Sequence, residues 1–159
     1  MTGVQTCALP IFGRPFATSY AHAGMVAHEG EKMSKSLGNL VFVHRLVRDG
    51  VDPMAIRLVL MAHHYRSDWE WSDAELEVAQ QRLEAYRAAA RRRDLRPDVV
   101  EALRAALRDD LDTPAALAAL DAWGAGDELP GTAGRELPAD APGDVAAAVD
   151  ALFGITLAG

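Results

Sequence analysis

Four helix-opening signals follow one another after residue 51, and they restrict the fold more than any other feature of this chain. Asp52-Pro53 sets an N-cap residue before a proline at the first helical position, where a missing N–H costs nothing. Ile56, Val59, Leu60 and His63 then share one face. Ser72-Asp73-Ala74-Glu75 reads as a capping box and opens a long helix with Leu76, Ala79, Leu83, Tyr86 and Ala90 in a stripe. Pro97 opens another, with Val100, Leu103 and Leu107 inward, and Thr113-Pro114 starts one carrying Leu117, Leu120 and Trp123. Residues 124–143, rich in Gly, Pro, Asp and Glu, read as a linker, and a last helix spans 144–153. Ahead of these, 21–27 read as a short buried strand or its end, 40–43 as an apolar run and 44–48 as a short helix. The expectation is a mainly α chain, a helical bundle over 44–123 behind a short, incomplete α/β piece at 12–43.

Residues 1–11 fit neither part. They carry no charge and no amphipathic period, and they lack the basic start and long apolar run of a signal peptide. Their back-translation resembles a sequencing-adapter oligonucleotide, so we read them as foreign and expect the native N-terminal part of the protein to be missing. Cys7, the single cysteine, lies in that stretch. One cysteine forms no internal disulfide and no Cys/His zinc cluster, so no metal site is expected within this chain, and a reducing cytoplasm is the expected compartment. No run of 18 apolar residues occurs, which argues against a membrane span. The net charge of −7 argues against indiscriminate nucleic-acid binding.

Arginine occurs 14 times and lysine only twice, as in GC-rich coding sequences. Both lysines stand in one stretch, Lys32-Met33-Ser34-Lys35-Ser36, inside a polar loop flanked by Gly30 and Gly38. A given five-residue string arises by chance in roughly one chain of this length in twenty thousand. Such a loop can fold over a nucleotide, with two flexible ammonium groups following phosphate oxygens as charge develops on them. The hydroxyls of Ser34 and Ser36 add donors, and the glycines permit a hinge. A solvated polar turn is the plain alternative.

From about residue 12 to residue 120 the chain resembles the C-terminal part of the class I cysteine-activating enzymes, the cysteinyl-tRNA synthetases and the mycothiol-pathway cysteine ligases. The matching stretches are His22-Ala23-Gly24-Met25-Val26, Gly30 through Asn39, Asp52 through Arg57, His64-Tyr65-Arg66-Ser67, and Asp110 through Leu117. The resemblance implies a class I Rossmann-like catalytic domain that ends within this chain. It makes Lys32 to Ser36 (with Met33, Ser34 and Ser36) the signature loop that closes over ATP and its Mg²⁺. Lys35 would stabilise charge on the α-phosphate and the departing pyrophosphate, and Lys32 would assist. Val26 matches the position whose backbone meets the adenine of cysteinyl-AMP. The ATP-binding histidine signature and the Zn²⁺ ligands of the family would lie upstream and are absent here.

Leu40-Val41-Phe42-Val43 and Asp68-Trp69-Glu70-Trp71 resemble the mycothiol branch, which joins L-cysteine to the amine of glucosaminyl-inositol. The expected protein is then a monomeric, cytoplasmic ligase when intact, and this part alone is inactive. The alternatives are a cysteinyl-tRNA synthetase, with tRNA as partner, and a non-catalytic helical module that packs on another domain.

Other residues read more plainly. His63-His64 cap a helix end, and Trp69 and Trp71 pack the connector on the helices. Arg87, Arg91, Arg92, Arg93 and Arg96 form a solvated basic face, and Asp109, Asp110 and Asp112 serve the following helix N-terminus.

Overall fold

The computed structural model describes residues 19–129 and 143–157. The chain is mainly α with one small sheet: β1 (Val26–His28), β2 (Glu31–Lys32), α1 (Val43–Arg48), α2 (Pro53–Met61), β3 (Trp69–Trp71), α3 (Asp73–Arg92), α4 (Pro97–Arg108), α5 (Thr113–Ala125) and α6 (Val145–Phe153). Four helices begin on a side-chain cap, while α4 opens on Pro97 without one. Asp52 Oδ1 accepts from the Met54 N–H at 2.8 Å, Ser72 Oγ from Glu75 N–H at 3.3 Å, and Asp112 and Asp144 from Ala115 and Ala147, both at 3.0 Å. These bonds satisfy N–H groups that the helix cannot. Arg93, Gly126 and Gly154 end their helices in the left-handed region.

The helices share one apolar core. Leu83, Tyr86, Leu103, Leu117, Leu120 and Trp123 are each at most 2 % exposed, and they interlock α3, α4 and α5. α2 adds Ala55, Ile56, Leu58 and Val59, and α6 adds Val145, Val149 and Phe153. The Arg96 N–H donates to Gly143 O at 2.8 Å and fixes the start of α6 beside the start of α4.

Several expectations shift in detail. Leu60 is 53 % exposed, and the buried face of α2 turns through Ala55 and Leu58 instead. His63 lies past the end of α2, and in α3 it is Ala89 that is fully buried. α5 runs to Ala125, while 130–142 of the expected linker and residues 1–18 lie outside the described residues. The strand expected over 21–27 is only Val26–His28, and it is half-buried.

Trp69–Trp71 forms a strand that periodicity did not announce. It pairs in parallel with β1, and β2 pairs with β1 antiparallel, giving the order β2-β1-β3. Parallel pairing needs a crossover, and α1 with α2 provides it. Trp71 enters the core, while Val26 and Trp69 pack against it, so this side of the sheet faces the helices. Trp69 stacks on His63 with ring centroids 4.1 Å apart.

Candidate functional site at the lysine loop

β1 and β2 join through Glu29 and Gly30, both left-handed at φ +58° and +75°, as a two-residue hairpin turn requires. Lys32 follows at once as the last residue of β2, and Met33 tucks partly into the core. The chain then turns on itself. Ser34 O accepts from the Gly38 N–H at 3.2 Å, and Gly38 takes φ +71°. Ser34 Oγ accepts from Leu37 N–H at 3.2 Å and lies 3.1 Å from Ser36 Oγ. Asn39 closes the loop. Its Oδ1 accepts from the Ser34 N–H at 2.9 Å, and its Nδ2 donates to His28 O and Lys32 O, both at 3.4 Å.

Lys32, Lys35 and Ser36 are exposed, while Met33 and Ser34 are half-buried. Among the described residues neither lysine has an ion-pair partner. The loop is thus formed by its own hydrogen bonds, with its two ammonium groups uncommitted. Asn39 is the supporting residue that the five-residue motif does not name; its sequence signal is its place at the end of the matching stretch Gly30 through Asn39.

Val26 belongs to the same edge. Its register partner is Trp69 on one side, and the β1–β2 ladder stops at Ala27 and Lys32. The Trp69 N–H donates to Met25 O at 3.0 Å, a register in which the polar groups of Val26 point away from β3, toward the side of β2 and Met33. The structure therefore brings Val26, Lys32 and the turn at 34–38 to one corner of the sheet.

The connector 64–71 supports that corner from below. The Gly24 N–H donates to Tyr65 O at 2.7 Å, and Met25 N–H to Asp68 Oδ1 at 2.6 Å. Tyr65 in turn donates to Asp110 Oδ1 at 2.9 Å, and Arg66 pairs with Asp110 at 3.1 Å. Asp110 thus anchors the connector, while Asp112 alone caps α5.

The other candidates take structural parts. His63 Nε2 lies 3.0 Å from Glu75 Oε1, out of hydrogen-bonding alignment, and His64 Nε2 is 3.1 Å from Asp110 O. The basic face is largely committed within the molecule: Arg87 pairs with Asp52 at 2.8 Å, Arg92 donates to Trp123 O, and Arg96 forks onto Asp98 at 2.7 and 2.9 Å. Only Arg91 and Arg93 fit the reading of a solvated face. Burial pushes the Asp52 carboxyl up, but the Met54 N–H and the Arg87 guanidinium together outweigh it and hold it below the ordinary carboxylate value. The Arg96 fork does the same for Asp98 against its burial.

Among the described residues no three His, Cys, Asp or Glu side chains gather to hold a metal ion. No described helix is long and apolar enough to cross a membrane. Two cavities, of about 510 and 220 Å³, are lined by helical residues such as Arg91 and Trp123, or Leu58 and Val78, and by none of 32–36.

Residues 4–81 match the family described as tRNA synthetases class I (C) catalytic domain. The match begins within the stretch read as foreign and runs through the sheet into α3. Three relatives carry the name L-cysteine:1D-myo-inositol 2-amino-2-deoxy-alpha-D-glucopyranoside ligase. The one from Brachybacterium faecium is 71 % identical over 145 residues, which cover 91 % of this chain and 34 % of the relative. Its counterpart from Streptomyces avermitilis is 59 % identical over 145 residues, covering 90 % and 34 %. That from Catenulispora acidiphila is 53 % identical over 152 residues, covering 91 % and 35 %. The chain spans about a third of the length of these relatives and is similar to them over about nine-tenths of its own length.

Proposed function

We propose that these residues form the C-terminal part of an AMP-forming ligase that activates L-cysteine with ATP and transfers it to the amine of glucosaminyl-inositol. In the first step a cysteine carboxylate oxygen bonds to the α-phosphorus, and pyrophosphate leaves. In the second the amine bonds to the cysteinyl carbonyl carbon, AMP leaves, and the amine gives up a proton.

The observation that carries this reading is the closed turn at 34–38, presenting two ammonium groups without an ion-pair partner among the described residues, beside the backbone of β1. Lys35 neutralises charge that grows on the α-phosphate and pyrophosphate, and Lys32 assists from the end of β2. Ser34 and Ser36 shape the turn, Met33 fixes it to the core, and the backbone of Val26 is placed to meet the adenine. The chemistry asks for positioning and electrostatic stabilisation, which an exposed lysine loop on a hinged turn supplies. The helices behind the sheet then act as a bundle that carries the end of the catalytic domain. ATP is taken as its Mg²⁺ complex, and the zinc and the nucleotide-binding histidines belong to upstream sequence. We further assign the protein to the cytoplasm and expect the whole enzyme to be a monomer.

The names of the relatives support the amino-sugar acceptor. A tRNA acceptor would ask for free arginines on α3; Arg87 and Arg92 are held by internal partners, which leaves Arg91 there with Arg93 just beyond. The test supplies the full-length protein with ATP, cysteine, glucosaminyl-inositol and tRNA together and identifies the product by mass. The expected product is the cysteinyl amide of the sugar; charged tRNA would overturn the acceptor assignment. Lys35→Ala should lower cysteine-dependent pyrophosphate exchange by about a hundredfold or more, the scale of removing one electrostatic stabiliser. An unchanged exchange rate would remove Lys35 from the mechanism.

A further inference from the structure

β1 is the middle strand, and one row of side chains runs straight across it. Ala27 is the register partner of Lys32 on β2 and of Glu70 on β3. Neighbours in such a row leave the same face of a sheet. Trp69 and Trp71 occupy the face toward the helices, so Lys32, Ala27 and Glu70 leave the opposite, open face. Within this row Ala27 stands between the lysine and the carboxylate.

Glu70 does not pair with Lys32. Its Oε1 accepts the backbone N–H of Gly30 at 2.6 Å, across 40 residues of sequence. Gly30 is in the left-handed turn immediately ahead of Lys32, and a Cβ placed there would meet nothing within 4 Å. Beside the His28–Glu31 pair that closes the hairpin, this short, charge-assisted hydrogen bond ties the turn to β3. Asp68, two residues earlier on the same segment, takes the Met25 N–H at the other end of β1. The two carboxylates clamp both ends of the strand from which the lysine loop departs.

We propose that Glu70 is a positioning residue for the lysine loop: its carboxylate fixes the Glu29-Gly30 turn and so sets where Lys32 and the following turn stand. The proposal rests on the reading of the loop as nucleotide-binding. Because the loop acts on charge that develops during the reaction, loosening its base should reduce turnover more than ground-state ATP binding. Glutamine at position 70 keeps an acceptor oxygen at the same reach. Threonine suits a strand but is too short to reach Gly30.

The test uses the full-length protein, with wild type, Lys35→Ala, Glu70→Thr and Glu70→Gln compared in cysteine-dependent ATP–pyrophosphate exchange. Amide hydrogen exchange over residues 26–36 is followed in the same samples. Glu70→Thr should lower kcat by about ten- to a hundredfold, the cost of a displacement on the order of 1 Å at a reacting centre. Its ATP KM should change by less than about threefold, and exchange at Gly30 to Lys32 should accelerate while the helices keep their protection. Glu70→Gln should restore kcat to within about threefold of wild type. A Glu70→Thr protein with wild-type kcat, or a raised KM at constant kcat, would overturn the proposal. So would Glu70→Gln as impaired as Glu70→Thr, because charge rather than the hydrogen bond would then matter. If wild type itself shows no cysteine-dependent exchange of pyrophosphate, the functional reading has failed, and hydrogen exchange at Gly30 still reports whether Glu70 holds the turn.

Discussion

Gly24 has no room for a side chain. A Cβ there would meet Ser67 O at 2.0 Å and Ser67 C at 2.4 Å, both backbone atoms. The close approach lets Gly24 N–H reach Tyr65 O, so the smallest residue sets the spacing of β1 from the connector. Gly24→Ala should destabilise the chain by about 1–3 kcal/mol, as overpacking does, read as a lower urea midpoint. Tyr86 is an opposite case, a large polar side chain fully buried in the core. Its hydroxyl donates to Asp121 Oδ1 at 2.6 Å, and burial, with the Asp121 carboxylate adding to it, pushes its phenol far above the ordinary value. Tyr86→Phe should cost about 1 kcal/mol, because Asp121 keeps Arg82 at 3.0 Å and is not stranded. A loss above 3 kcal/mol would show that Asp121 depends on Tyr86 alone.

At the scale of elements, the caps matter twice. Asp52 both caps α2 and pairs with Arg87 of α3, so one carboxylate fixes a helix start and a helix–helix contact. Asp52→Ala should cost about 1–2 kcal/mol, and Asp52→Asn less, since the amide oxygen still caps. The carboxyls of Asp52 and Asp98 lie below their ordinary value in the folded chain. A depressed folded value means that the stabilisation is complete above the unfolded value of about 3.9 and is lost as pH falls through the folded values. Denaturation midpoints should therefore be flat near neutrality and fall in that acid window, and the fall should be shallower in Asp52→Asn. The helix starts were legible in sequence because caps are local chemistry. The strand Trp69–Trp71 was not, because three residues carry no usable period and their partner lies 43 positions away.

For the whole molecule, burial is unequal. α1 buries no residue, and β2 is fully exposed, whereas α3, α4 and α5 share the centre of the core. Regions with few buried apolar contacts open first. Backbone amides of 28–48 should exchange with solvent well before those of α4 and α5, and equal protection throughout would contradict this picture of the core. Leu103→Ala, at a fully buried position, should cost about 2–5 kcal/mol and lower the protection of all three central helices together.

The sequence by itself determined most helix starts and the predominance of helix, and it singled out the lysine loop that we propose as the site. Each is written in neighbouring residues: an acid or serine before a helix, a proline after it, two lysines between glycines. Most of the proposed site was therefore readable as a motif. Its support was not. That Asn39 closes the loop, that Glu70 and Asp68 clamp β1, and that Arg87, Arg92 and Arg96 serve internal carboxylates and carbonyls depends on contacts between residues far apart in the chain. Only tertiary structure decides such partners, because a charged side chain carries no local sign of which distant backbone group it will reach.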